Sequence, residues 1–136
     1  MRIKKVSQTT PTQAQVVDGY STSTTDSYSA NYVNSMGGNI LWTNPNPSTA
    51  ISANTSITLS SSDYDLILWV FRVSISNNQT DSDFSLKGYG VRHYIGNVYR
   101  TITRNSDTSY TINASSDAAY NNAAIPLYAI GYKIVN

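Results

Sequence analysis

The amino-acid sequence predicts a mainly β protein, a jelly-roll-like antiparallel β-sandwich of about eight strands preceded by a short N-terminal helical stem. Three observations predict it. Roughly a third of the positions are Ser, Thr or Asn, eleven are Tyr, and every acidic residue is Asp. Such a composition disfavours long helices and favours strands joined by polar turns. Turn signals recur after Asn44 at intervals of roughly 8–12 residues, the spacing of a sandwich or barrel. A single helical apolar spacing, Tyr28, Tyr32, Val33 and Met36, stops at Gly37-Gly38, where glycines favour helix termination.

The chain divides into an extended attachment arm (1–20), the short helical stem (21–38) and the β-sandwich head (39–136). Its 136 residues are enough for one domain with an appendage, burying about two thirds of the unfolded surface. The arm has a Pro at 11 and little apolar periodicity. Ser21 to Ala30 offers hydroxyl groups and Asp26 as helix caps. A helix this short is marginal alone, since isolated helices need roughly 12–15 residues in water. It must lean on its own head domain or on symmetry mates.

Within the head, Asn44-Pro45-Asn46-Pro47 is a rigid connection, because a residue before Pro is pushed out of the helical region. Ile57 and Leu59 alternate with Thr58 and Ser60, as in a half-buried strand. Asp63-Tyr64-Asp65 turns the chain into Leu66–Val73, apolar on both faces. That run fits a central strand whose second face lies inside the sandwich or in a subunit interface. Residues 76–83 read as a polar loop, and Phe84–Lys87 and Gly90–Ile95 as strands. Gly96-Asn97 is a two-residue hairpin turn into Val98–Arg104. Asn105-Ser106 leads to a strand over Thr108–Ile112, a small-residue loop covers 113–123, and Ile125–Val135 closes the chain as a long strand.

Charge and composition exclude several functions. Nine Lys or Arg against eight acids give a net charge of +1, so no electrostatic case exists for nucleic acid or an anionic membrane. No segment approaches the roughly 20 apolar residues of a membrane span. Arg2, Lys4 and Lys5 are followed by Ser7-Gln8-Thr9-Thr10-Pro11 rather than an apolar run, unlike a signal peptide. Cysteine is absent, which removes disulfides, thiolate metal sites and cysteine nucleophiles. Sequons at Asn54, Asn78 and Asn113 are expected by chance in so Asn-, Ser- and Thr-rich a chain.

Several phrases resemble those of phage and prophage fibre or minor structural proteins of Gram-positive hosts, on the tail or the head. They are Val17 to Asn34, Leu41 to Pro47, the strand after Asp63-Tyr64-Asp65, and the ending Ile125 to Lys133. The resemblance runs from about residue 10 nearly to the end, and the order of its short pieces carries it. It implies a homotrimeric tip on the virion surface, assembled in the host cytoplasm, with a three-helix stem built on Tyr28, Tyr32, Val33 and Met36. Residues 1–20 would dock on other virion proteins, and the head would meet the bacterial surface, often a cell-wall glycan. A head-fibre or capsid decoration module without a receptor role is the alternative.

No enzyme is expected. The lone His93 lacks a nucleophile turn of the Gly-x-Ser-x-Gly kind and reads as structural or surface. Asp81 and Asp83 lack the Gly and distal Glu of a calcium loop, and Asp63 and Asp65 do not read as an acid–base pair. No cofactor or metal is expected. The candidate ligand-binding residues are Tyr89, Arg92, Tyr94, Tyr99 and Arg100. Tyr94 and Tyr99 flank the Gly96-Asn97 turn as near cross-strand neighbours. Rings beside polar side chains suit sugar binding, while the structural alternative is ordinary cross-strand pairing. Trp42 and Trp69 are assigned to the core.

Overall fold

The computed structural model describes residues 2–3 and 37–135. Its strands are β1 (Arg2–Ile3), β2 (Gly38–Thr43), β3 (Thr55–Thr58), β4 (Leu66–Ser74) and β5 (Thr80–Leu86). They continue as β6 (Val91–Ile95), β7 (Val98–Arg104), β8 (Ser109–Ser115), β9 (Ala123–Tyr132) and β10 (Ile134–Val135). A 3-10 turn, Ala118–Tyr120, sits before β9, where the Asp117 carboxylate accepts from the Ala119 N–H at 2.9 Å. The stem positions Tyr28, Tyr32, Val33 and Met36 lie outside the described residues. So does the arm apart from Arg2–Ile3, which pairs with Ile134–Val135.

Two four-stranded antiparallel sheets form the sandwich: β2-β9-β4-β5 (the first sheet) and β3-β8-β7-β6 (the second). β2 with β9 and β3 with β8 are long-range pairs. β4 with β5 and β6 with β7 are local hairpins, each inside one sheet. The strand expected to be apolar on both faces is β4, which lies between β5 and β9 in the first sheet. Ile67, Trp69 and Phe71 point into the sandwich and are fully buried. They meet Ile57, Ile102, Tyr110 and Ile112 of the second sheet in one core. Trp69 packs edge-on against Tyr110 at 5.3 Å, and its indole N–H donates to Ser85 Oγ at 2.9 Å, so the core's largest ring buries no unpaired donor.

Close approach fixes one glycine in β9. A Cβ on Gly131 would lie 2.7 Å from Leu41 Cδ1 and 3.1 Å from Tyr64 Cβ. Leu41 reaches that spot because the β2–β9 register slips between Ile40 and Trp42. Such a bulge bends the strand and re-aims its side chains; Leu41 is buried in the core and Trp42 packs half-buried against it.

One sequence expectation is corrected. Residues 80–83 are not loop: they begin β5, which runs from Thr80 and pairs with β4 as far as Arg72. Asp81 and Asp83 hide the strand pattern because they occupy core-side positions of an edge strand, opposite Phe71 and Trp69. Inward-pointing charges are a recurrent way to keep an edge from pairing with other chains. Asp63 and Asp65 precede β4 and converge on the chain's end. Lys133 Nζ donates to Asp63 at 2.8 Å, and the Ile134 N–H donates to Asp65 Oδ2 at 2.8 Å. The Lys133 ammonium holds the Asp63 carboxyl below its usual range.

Candidate functional site

The β6–β7 hairpin turns at Gly96-Asn97, with Gly96 at φ 60° and Asn97 outside the positive-φ region. A positive φ at the first central residue alone is the two-residue turn whose twist matches the flanking strands. The turn sets the register Tyr94↔Tyr99 and Arg92↔Thr101. Because side chains alternate along a strand, these four project from the outer face of the second sheet, while His93, Arg100 and Ile102 turn inward.

Tyr94 and Tyr99 meet edge to face, with centroids 5.2 Å apart at 88°. The Arg92 guanidinium carbon lies 4.2 Å from the Tyr99 ring centre, and Arg92 Nε donates to Thr101 Oγ1 at 3.3 Å. An exposed cation–π contact is worth about 0.5–1 kcal/mol, and an edge-to-face pair adds about 0.5–1.5 kcal/mol. The three side chains thus form a preassembled platform. Tyr99 is engaged by both neighbours, so Tyr94, 57% exposed, offers the open ring. The face beyond is neutral and rich in hydroxyl and amide groups. Asn113 Nδ2 donates to Thr103 Oγ1, and Asn105 Nδ2 donates to Thr111 Oγ1, both at 2.8 Å.

Arg92, Tyr94 and Tyr99 come together; Tyr89 and Arg100 do not join them. Tyr89 is 68% exposed, but it lies in the turn before β6, about 16 Å along the chain from Tyr94 at ~3.3 Å per residue. Arg100 is a correction: its side chain is completely buried on the opposite face. All five guanidinium N–H groups end on main-chain carbonyls. Nε donates to Ala124 at 2.8 Å. Nη1 donates to Ile51 at 3.2 Å and Asn113 at 2.6 Å, and Nη2 to Asn121 at 3.0 Å and Ala123 at 2.9 Å. This clasp ties the β2–β3 loop, β8 and the start of β9 to β7, and it holds Ala124 at φ 52°, a region few non-glycine residues adopt. Burial lowers the Arg100 pKa to about 10, so the clasp is cationic at neutral pH. Strand parity could have revealed it, since Arg100 shares a face with Ile102.

His93 is buried too, stacked on Phe71 with centroids 4.4 Å apart and planes at 8°. Its Nε2 lies 3.2 Å from Asp81 and its Nδ1 3.4 Å from Asp83. The Nε2 contact is too poorly aligned for a hydrogen bond. The three side chains bridge the edge strands β5 and β6 across the sandwich, a structural role rather than that of a solvent-facing base.

Two further surfaces are absent from the sequence reading. Phe84 and Leu86 are 52% and 55% exposed on the outer face of the first sheet. A recess of about 340 Å³ at the end of that sheet gathers Thr43, Arg72, Asn78, Thr80 and Tyr128. No group of three or more His, Asp or other ligating side chains that could hold a metal occurs among the described residues. No family model, curated protein or solved structure matches the chain.

Proposed function

We propose that the chain is a non-enzymatic virion structural protein, a small homotrimeric fibre tip whose sandwich head binds a glycan of the host surface. The observation that carries the glycan reading is the Arg92–Tyr99–Tyr94 platform, an exposed ring with fixed polar neighbours on a hydroxyl-rich sheet face. Sugars are bound in this way, by apolar contact with a ring and directional hydrogen bonds around it. The jelly-roll-like description of the head rests on the nested long-range pairs β2–β9 and β3–β8. Its non-enzymatic character rests on the state of the titratable groups: His93 is buried between carboxylates, and Asp63 and Asp65 are engaged with Lys133 and the Ile134 amide.

Trimerisation is supported by the first sheet. Its outward positions Leu66, Leu68, Phe84, Leu86 and Ile130 are contiguous through the registers Leu66↔Leu86 and Phe84↔Leu68↔Ile130; Leu66 and Ile130 are buried within the chain, and Phe84 and Leu86 are the half-exposed part of this face. An apolar face of this kind is a common subunit or partner surface. Three tethered heads would raise a weak single-site affinity through effective concentration. In this reading residues 1–20 dock on another virion protein, and Tyr28, Tyr32, Val33 and Met36 form the stem.

Labelled protein on host cells, native and stripped of surface glycans, tests the proposal. Binding is expected to the native cells alone and to disappear in the Tyr94→Ala variant; equal binding to both cell preparations overturns the glycan reading. The same apolar face also supports the alternative of a capsid or head-fibre decoration module without a receptor role. That reading predicts no cell binding at all, with incorporation into particles lost when residues 1–20 are deleted.

A further inference from the structure

We propose a second ligand site, for a carboxylate-bearing saccharide unit, in the recess at the end of the first sheet around Arg72. The recess is separate from the Tyr94 platform, which lies on the other sheet, and its argument does not use the virion reading. It is bounded by β2, β4, β5 and β9 and by the β2–β3 loop, and its volume is about 340 Å³. That falls at the lower end of the roughly 300–1,000 Å³ typical of small-molecule sites.

Arg72 provides the charge. Its Nε donates to the Asn77 carbonyl at 2.8 Å and Nη1 to Ser48 Oγ at 3.0 Å, which fix the plane of the guanidinium. The other two bonds are long, 3.4 Å from Nη1 to the Pro47 carbonyl and 3.4 Å from Nη2 to Asn78 Oδ1. Four of five donors are used, all on neutral acceptors. Among the described residues the ion pairs involve His93, Arg104 and Lys133, and no carboxylate reaches Arg72. An oriented guanidinium with one free N–H, two weak bonds and no counter-charge suits an incoming carboxylate, which accepts shorter, charge-assisted bonds.

The rest of the lining suits a hydroxylated ring better than a simple anion. Tyr128, Leu127 and Pro47 give apolar walls, and the Thr43 and Thr80 hydroxyls stand at the ends of β2 and β5. One ring face against apolar walls, hydroxyl groups toward the threonines and a carboxylate on Arg72 together describe a uronic acid residue.

The test is a titration of the full chain, isotope-labelled for NMR, with methyl glucuronide and with methyl glucoside, which differ in the carboxylate alone. The expected result is shifted amides at Thr43, Arg72, Thr80 and Tyr128, with the glucuronide binding about tenfold or more tighter than the glucoside. Arg72→Gln should abolish that preference. Thr80→Val, at an exposed strand end, should weaken both sugars while the Trp69 indole signal confirms an intact core. Equal affinity for the two sugars, shifts confined to Tyr94 and Tyr99, or no response to either sugar would each overturn the proposal. So would wild-type behaviour of both variants.

Discussion

On the first sheet, the side chains facing away from the core are Leu66, Leu68, Val70, Phe84, Leu86 and Ile130, giving way to Ser82, Arg72 and Thr80 at one end; on the second they are Arg92, Tyr94, Tyr99, Thr101, Thr103 and Asn113. Both sheets are antiparallel, four-stranded and packed on the same core. An antiparallel sheet commonly leaves one face to water and then alternates cleanly between apolar and polar residues. The second sheet follows that rule, and the first breaks it except at the Arg72 end. Leu66 and Ile130 are buried within the chain, but Phe84 and Leu86 stay half exposed, and exposed apolar side chains invite association. The difference teaches that two sheets packed on one core can present opposite surface chemistries, because each outer face is set by alternate residues that the core does not constrain.

The sheets also differ in how they bury polar groups. In the first, Trp69 meets Ser85 in one neutral hydrogen bond. In the second, Arg100 carries a charge into the interior on five carbonyls. Replacing it should therefore have the largest effect of any change considered. Arg100→Met should cost more than about 4 kcal/mol, leaving several buried carbonyls unpaired at roughly 1–3 kcal/mol each. Arg100→Lys should not rescue it, because an ammonium has three donors and no planar fork. Urea denaturation followed by Trp fluorescence reads the loss; a midpoint near wild type would show the clasp to be dispensable.

A smaller effect is expected where the first sheet meets the core. Gly131→Ala places a methyl 2.7 Å from Leu41 Cδ1, an overpacking that should cost about 1–3 kcal/mol in the same measurement. Leu41→Ala made with it should recover part of the loss, if the clash and not the backbone is responsible.

The Tyr64–Tyr110 pair joins the two halves and makes stability depend on pH. Tyr64 Oη lies 2.6 Å from the Asp107 carbonyl and 3.1 Å from Tyr110 Oη. Burial, the largest cause for both, raises the pKa of each phenol. A folded pKa above the unfolded value of about 10 means that this contribution is complete below pH ~10 and is lost as the pH rises further. Denaturation midpoints should fall above that pH. Tyr64→Phe should cost about 1 kcal/mol at neutral pH and flatten the alkaline fall; an unchanged slope would place the titration elsewhere.

The smallest effects on folding are expected on the two outer faces, and there the comparison is sharpest. Phe84→Ser with Leu86→Ser should change stability by less than about 1 kcal/mol, since both side chains are half exposed and surface changes are mild. If the proposed trimer forms through this face, the double variant should nevertheless reduce the mass seen by light scattering from three chains to one. Tyr94→Ala should leave that mass unchanged and cost only the cross-strand pair, about 0.2–1 kcal/mol. If the two variants exchanged phenotypes, the assignment of association to one face and recognition to the other would fail.

Much of this was legible from local pattern. The Gly96-Asn97 turn, the Tyr94–Tyr99 pairing and the two apolar faces of β4 follow from rules spanning a few residues, and all three are present. Strand β5 was read too short because Asp81 and Asp83 face inward toward His93, a partner ten or more residues away. Arg100 is grouped with the tyrosine pair by its nearness to Tyr99 in the sequence, although its own parity matches Ile102.

By itself the sequence determined the β class, the hairpins and the alternation that gives each strand two faces, because these depend on near neighbours and turn chemistry. Tertiary structure alone decided what each face meets. Carbonyls from residues 51, 113, 121, 123 and 124 converge on Arg100, and the loops around Arg72 assemble its recess. Both arrangements bring together groups far apart in the chain. The packing of the two sheets fixes the first set of distances, and the strand order of the first sheet with its loops fixes the second.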